Sequence, residues 1–139
     1  MKPTGAGVIT VRKINNKWQV LALTVDKKTQ ISNRGELDLC KGSIDPGETE
    51  WSTAIREAYE EASFIIDTKD ILFGPITIDW LTLWVVDVGQ QTPKITPNPT
   101  TGEIEHTGYL WLEFDEFICR AYIYLTPFLI EARDLLSVV

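Results

Sequence analysis

Cysteine and histidine are scarce in this sequence, which holds two cysteines, Cys40 and Cys119, and one histidine among 139 residues. The cysteines lie far apart, in no CxxC motif and no Cys/His cluster. That spacing speaks against a zinc site and a disulfide framework, and fits two semi-buried thiols in a reducing compartment. Basic residues are in deficit too, with 13 Lys and Arg against 20 Asp and Glu and a formal charge of −7. A general nucleic-acid or anionic-membrane binder wants a basic surface, so both classes are disfavoured. No apolar run approaches the roughly 18 residues of a membrane span, and MKPTGAGVITV at the start carries no long apolar signal region. Internal repeats, low-complexity tracts and linkers are missing as well. The expectation is a cytoplasmic protein with no membrane partner.

What remains is ordinary globular composition, 44% hydrophobic and 24% charged, enough for one domain over residues 1–139 and too short for two. GAGVITVRK and KWQVLALTV are β-branched, apolar runs on either side of INN, which predicts two strands paired as a hairpin. Residues 26–35 are polar and read as a loop, followed by a short strand over 36–40 and the Gly/Pro-punctuated loop GSIDPGE. A helix begins near Thr49 as N-cap, with Trp51, Ile55, Ala58 and Ala62 on one apolar stripe. FGPITIDWLTLWVVDV reads as a turn and one or two strands, the proline-rich residues 89–102 as a long exposed loop, and GYLWLEF as another strand. FDEFICRAYIYL suits a helix, and TPFLIEARDLLSVV suits a second, with Thr126 as N-cap and Pro127 at the first helical position. This order implies an α+β or layered α/β domain.

The helix near residue 50 carries an oddity. REAYEE places Glu57, Glu60 and Glu61 within five residues, and at ~100° of rotation per residue all three project from one side. Like charges at i, i+4 destabilise a helix by roughly 0.2–0.5 kcal/mol per pair. Arg56, four residues before Glu60, is placed to hold that carboxylate bidentately. Charge runs on helices are usually solvated faces. Here, however, a Gly-rich loop with its own acid, Glu48, leads into the helix, an arrangement suited to a hard cation with oxygen ligands. A divalent-cation site serving phosphoryl chemistry is the alternative to the solvated face.

The spacing decides between them by resemblance. Gly42, five residues, Glu48, seven residues, then Arg56-Glu57-Ala58-Tyr59-Glu60-Glu61, Ala62, Ser63 and Phe64 resembles the Nudix box, G-x5-E-x7-R-E-U-x-E-E-x-G-U. Ala58 is small for the apolar position, and Ser63 stands where the family has the glycine that ends the helix, so a weakened C-cap is expected. The resemblance implies a Nudix fold, a mixed β-sheet sandwiched between α-helices, with the box over residues 42–64 as loop-helix-loop. It implies hydrolysis of a nucleoside diphosphate linked to another group, with Mg²⁺ or Mn²⁺. Carried over position by position, Glu57, Glu60 and Glu61 look like metal ligands, joined by the Lys41 backbone carbonyl. Arg56 would orient the carboxylates and Glu48 would support them.

TGEIEHTGYLWLEF, with Glu105, His106 and Trp111, is similar to the E-H-x-x-x-x-W segment of asymmetrical diadenosine tetraphosphate hydrolases. KGSIDPGE looks like the PKGHVDPGE opening of that subfamily, although Cys40 replaces its proline and Ser43 its histidine. The resemblance implies Glu105 as a further metal ligand or the base that activates water, and Lys41 and His106 as phosphate contacts. A lone histidine is more often a hydrogen-bonded structural residue than a phosphate contact or proton carrier. Tyr122, Tyr124 and Trp80 are candidates to stack on adenine, Tyr122 foremost, against the ordinary alternative of aromatic core. The expected reaction is diadenosine tetraphosphate to ATP and AMP by water attack on phosphorus, in a monomer or homodimer. The alternatives are RNA decapping, which the acidic balance disfavours, cleavage of ADP-ribose or nucleotide sugars, and a non-catalytic nucleotide-binding module.

Overall fold

Asn15 and Asn16 close the first hairpin. Both have positive φ, 49° and 65°, and Ile14 pairs with Lys17 across them, a two-residue turn whose twist matches that of its strands. The computed structural model describes residues 2–139, and this hairpin joins strands β1 (Gly5–Ile14) and β2 (Lys17–Thr24). Helix α1 (Lys27–Asn33) follows, then strands β3 (Leu37–Asp38) and β4 (Cys40–Ser43) and helix α2 (Glu50–Ala62). Strands β5 (Ile71–Ile78), β6 (Leu81–Asp87) and β7 (Gly108–Leu112) precede helices α3 (Phe114–Arg120) and α4 (Thr126–Leu136).

The seven strands form one mixed sheet in the order β3-β2-β1-β6-β5, with β4 also beside β1 and β7 beside β2. Among the strand pairs of the described residues, β1 and β6 run parallel and the rest antiparallel. Residues 5–11 of β1 are buried on both faces, as a central strand between helical layers requires. On one face, Phe114, Phe117, Phe128 and Leu129 of α3 and α4 pack with Ile9, Val11, Leu83 and Val85. On the other, Ala54, Ala58 and Ala62 of α2 pack with Ala6, Val8, Trp84 and Val86. The small alanines let α2 lie close against the sheet, and that closeness brings its neighbouring carboxylates down to β4. This is the α+β sandwich expected from the sequence, with four helices and a mixed sheet.

Several boundaries differ. Residues 26–35 are not a loop: Asp26 caps α1 by accepting from the Thr29 N–H at 2.8 Å, and Arg34 ends it in the left-handed region at φ 54°. None of its residues is buried, so there was no apolar stripe to reveal it. The strand at 36–40 is interrupted at Leu39 and continues to Ser43, into the segment read as loop. Thr126 does not cap α4; it is already helical (φ −54°, ψ −47°), because a 3-10 turn over Ile123–Leu125 feeds straight into the helix. The helix at 114 stops at Arg120, where Ala121 turns extended and the Tyr122 N–H donates to the Leu37 carbonyl at 2.9 Å. On α2 the buried face is turned from the expected stripe: Trp51 and Ile55 are half-buried, whereas Thr53, Ala54, Glu57 and Glu61 are buried. Both cysteines are free as expected, but Cys119 is exposed and only Cys40 is buried. Among the described residues no helix is long and apolar enough to cross a membrane.

Candidate active site

Thr49 starts α2 with a reciprocal cap: its hydroxyl accepts from the Ser52 N–H at 3.0 Å, and the Ser52 hydroxyl accepts from the Thr49 N–H at 2.9 Å. The cap and the alanine seam set the helix rotation, so Glu57 and Glu61 face β4 and Glu60 stands half-exposed beside them. β4 approaches closely enough that a Cβ on Gly42 would overlap the Glu57 carboxylate. A side chain at 42 would displace the Glu57 carboxylate from its place in the acid cluster.

Arg56 organises the outer half of the site. Its Nε and Nη2 donate to the two oxygens of Glu48 at 2.8 and 2.9 Å, a bidentate pair. Nη1 reaches Glu57 at 2.9 Å and Glu60 at 3.2 Å, and Nη2 also donates to the Ser43 carbonyl at 3.0 Å. The expected bidentate grip on Glu60 is thus a single bond, and Glu48 takes the fork. Glu48 in turn accepts from the Asp45 N–H at 3.0 Å and the Thr53 hydroxyl at 2.9 Å. The Arg56 hydrogen bonds, with the Asp45 amide, hold the Glu48 carboxyl down at about 2. Partial burial pushes the Glu60 carboxyl up, against the pull of Arg56.

The inner half is buried. Glu61 accepts from the Lys41 N–H at 2.9 Å with one oxygen, and His106 Nδ1 lies 3.1 Å from the other. His106 Nε2 lies 3.0 Å from Asp38, whose second oxygen meets the Lys41 ammonium at 3.2 Å. Burial pushes the Glu61 carboxyl well up, and Asp38 and Glu57 push it further. Burial alone would push the Lys41 ammonium down, but Asp38, Tyr124 and Glu61 outweigh it and keep it firmly charged. That ammonium sits 5.4 Å from the Tyr124 ring centre and 5.6 Å from that of Tyr122, within cation–π reach.

The Nudix domain model matches residues 1–133. The chain belongs to the Nudix family. It is a hydrolase of that family, a pyrophosphohydrolase, and it retains all the acids of the Nudix box. The chain is similar in fold to a Caenorhabditis elegans Ap4A hydrolase solved as a binary complex, at 22% identity and a TM-score of 0.74 over 99% of this chain and 98% of that one. A NUDIX hydrolase structure from Listeria monocytogenes aligns with a TM-score of 0.71 at 17% identity, covering 97% of this chain and 94% of that one. The NUDIX domain of Shewanella oneidensis NrtR, complexed with ADP ribose, aligns at 0.58 and 10% identity over 96% and 88%. No curated protein matches the chain significantly.

Nudix hydrolases generally use divalent metals, and the donor chemistry here fits a hard cation. Glu57, Glu60 and Glu61 offer carboxylate oxygens from adjacent turns, and the burial and neighbouring acids that push the Glu61 carboxyl up are what a bound cation would offset. Asp38, Glu61 and His106 also bring ligand atoms within 4.8 Å of one another. Those atoms already bond to each other, and Asp38 has the Lys41 ammonium beside it, so they serve better to orient Glu61 than to hold the ion. Glu105 is exposed; with Glu60, Glu61, Asn98 and His106 it lines a small cleft, and Asn98 Nδ2 is 3.4 Å from its carboxylate. Tyr122 is only 2% exposed and presents no face to a base, whereas Trp80 is 41% exposed and packs on half-buried Tyr124 at 5.3 Å. Sequence reading missed Asp38. Its one signal was a lone acid between leucines, LDL, where a strand should be apolar.

Proposed function

We propose that this protein hydrolyses dinucleoside polyphosphates, cutting diadenosine tetraphosphate into ATP and AMP. One observation carries the reading: the two segments that resemble that subfamily converge on a single box acid. Lys41 of KGSIDPGE donates its N–H to one Glu61 oxygen at 2.9 Å, and His106 of the EH segment contacts the other at 3.1 Å. Residues 1–139 act as a single domain in this reading. Glu57, Glu60, Glu61 and the Lys41 carbonyl would hold a Mg²⁺ or Mn²⁺ ion, which supplies charge neutralisation at the pyrophosphate oxygens.

The protein's own groups divide the remaining work. The Lys41 ammonium, kept charged by Asp38, attracts a substrate phosphate. His106, with both ring nitrogens engaged by carboxylates, holds Glu61 in place and is a positioning residue. Glu105, at the mouth of the cleft beside Glu60, is the base that takes a proton from the attacking water. Trp80 and Tyr124 replace Tyr122 as the adenine platform. Free Cys40 and Cys119 fit work in the reducing cytoplasm.

Chromatography of the products tests this. With Mg²⁺, the wild type should yield equimolar ATP and AMP, and Glu61→Gln should lose roughly 100-fold or more in rate. Two molecules of ADP, or turnover of ADP-ribose alone, would overturn the substrate assignment.

A further inference from the structure

Beside the acid cluster, and sharing Arg56 and Glu60 with it, runs a groove of about 640 Å³ between α2 and residues 94–99. Its helical wall is formed by Arg56, Tyr59 and Glu60, and its opposite wall by Lys94, Thr96, Pro97 and Pro99. The volume falls in the range of sites that enclose small ligands. Tyr59 occupies the unspecified position of REAYEE, yet its ring is 60% exposed with no core to fill. The far wall is tied down: the Lys94 N–H donates to the Ala62 carbonyl at 2.9 Å, and the Ser63 hydroxyl donates to the Lys94 carbonyl at 3.0 Å. The Thr96 hydroxyl reaches the Glu60 carbonyl at 3.5 Å. An exposed tyrosine and two prolines thus line one groove, together with the exposed Lys94 and the Glu60 carboxylate.

We propose that this groove is the subsite for the second nucleoside of the substrate, with the base against Tyr59 and its nearest phosphates beside Lys94. The inference rests on the dinucleoside reading above and deepens it. The site has two aromatic stations that reach the carboxylate cluster through different members. Trp80 and Tyr124 connect through Lys41 to Glu61, and the Tyr59 groove begins at Glu60. A substrate with one base fills one station; a substrate with a base at each end of a polyphosphate fills both. The acids between them would hold the cation that neutralises the polyphosphate, and the ammonium groups of Lys41 and Lys94 lie on its two sides. Every base has a π-face, so an aromatic platform of this kind is tolerant of base identity.

The test is a comparison of two ligands differing by one nucleoside, diadenosine tetraphosphate and adenosine 5′-tetraphosphate. Affinity is read by calorimetry with Ca²⁺ replacing Mg²⁺ to suppress turnover, alongside kcat and KM with Mg²⁺. The wild type should bind the dinucleoside about tenfold more tightly, the scale of one base–aromatic stack. Tyr59→Ala should erase that difference, raising KM for diadenosine tetraphosphate with kcat nearly unchanged, while Tyr59→Phe retains it. Because Tyr59 is exposed, the alanine variant should keep its thermal midpoint, which reports folding separately. Equal affinity of the wild type for both ligands, or a Tyr59→Ala variant that still prefers the dinucleoside, overturns the subsite. If the preference and its loss are seen without turnover, the subsite stands and the catalytic reading fails. Turnover with no change in Tyr59→Ala does the reverse.

Discussion

Two polar networks meet at the acid cluster, and they are built differently. Around Arg56, one half-exposed cation is shared among Glu48, Glu57 and Glu60 at 2.8–3.2 Å, with solvent at the edge. Around His106, the side chains of His106, Asp38 and Glu61 are all 7% exposed or less, and a single ammonium, that of Lys41, answers them. The outer network can lose a member and let water in. The inner one cannot, because a buried charge left without its partner has no solvent to fall back on. Tolerance of change at this site should therefore follow burial rather than the number of charges in a network.

The largest effect should come from the inner network. Asp38→Ala strips the partner from the buried Lys41 ammonium and from His106, and should cost about 3–5 kcal/mol in urea unfolding. An outer-network change such as Arg56→Lys, which keeps the charge but loses the fork on Glu48, should cost only about 1–2 kcal/mol. If the two variants cost the same, the distinction by burial fails. Glu48 sharpens the comparison through pH. Its folded carboxyl is lowered to about 2 by Arg56, whereas an unfolded glutamate titrates at about 4.3. The stabilisation is fully present above the unfolded value and is lost as pH falls toward the folded one. Acid unfolding of Glu48→Gln should accordingly show a shallower loss of stability between about pH 4 and pH 2 than the wild type.

The smallest effect is expected at the helix end. Ser63 holds φ 61° where a glycine would sit freely, and relief of that strain is worth up to about 1–2 kcal/mol. The same residue ties down Lys94 through its hydroxyl, so Ser63→Gly should shift the thermal midpoint by no more than about 3 °C in either direction. It should instead raise amide exchange at Thr96. Ser63→Ala, which loses the hydroxyl without gaining the backbone freedom, should be the less stable of the two.

How legible each network was follows from the same contrast. The outer one is local: Glu48, Arg56, Glu57 and Glu60 fall within thirteen residues of one chain segment, so helical periodicity and box spacing were enough to bring them together. The inner one joins residues from three distant segments, with His106 hydrogen-bonded to a partner 68 positions away, and only the lone acid in LDL marks Asp38, without pointing to its partners. Even in the outer network, spacing assigned the guanidinium fork to Glu60, four residues on, because it weighs only neighbours on the helix. The loop folds back to offer Glu48 with better geometry. The strand pattern suffered similarly: β1 and β2 were visible from their apolar runs and the paired asparagines, while α1 buries nothing and so left no mark except its caps.

The long segment after β6 is less free than its length suggests. It is fastened to the body at Lys94 through Ala62, and again at Thr107, whose N–H donates to the Thr24 carbonyl at 2.8 Å. Extra chain inserted at the tip of the turn, between Thr100 and Gly102, would lengthen a surface arch whose flanks line the groove through Pro97 and Pro99 and the cleft through Glu105. A lineage could therefore vary the tip by insertion and deletion, or an experimenter could splice a reporter peptide there, with the strand and helix ends on either side kept in place.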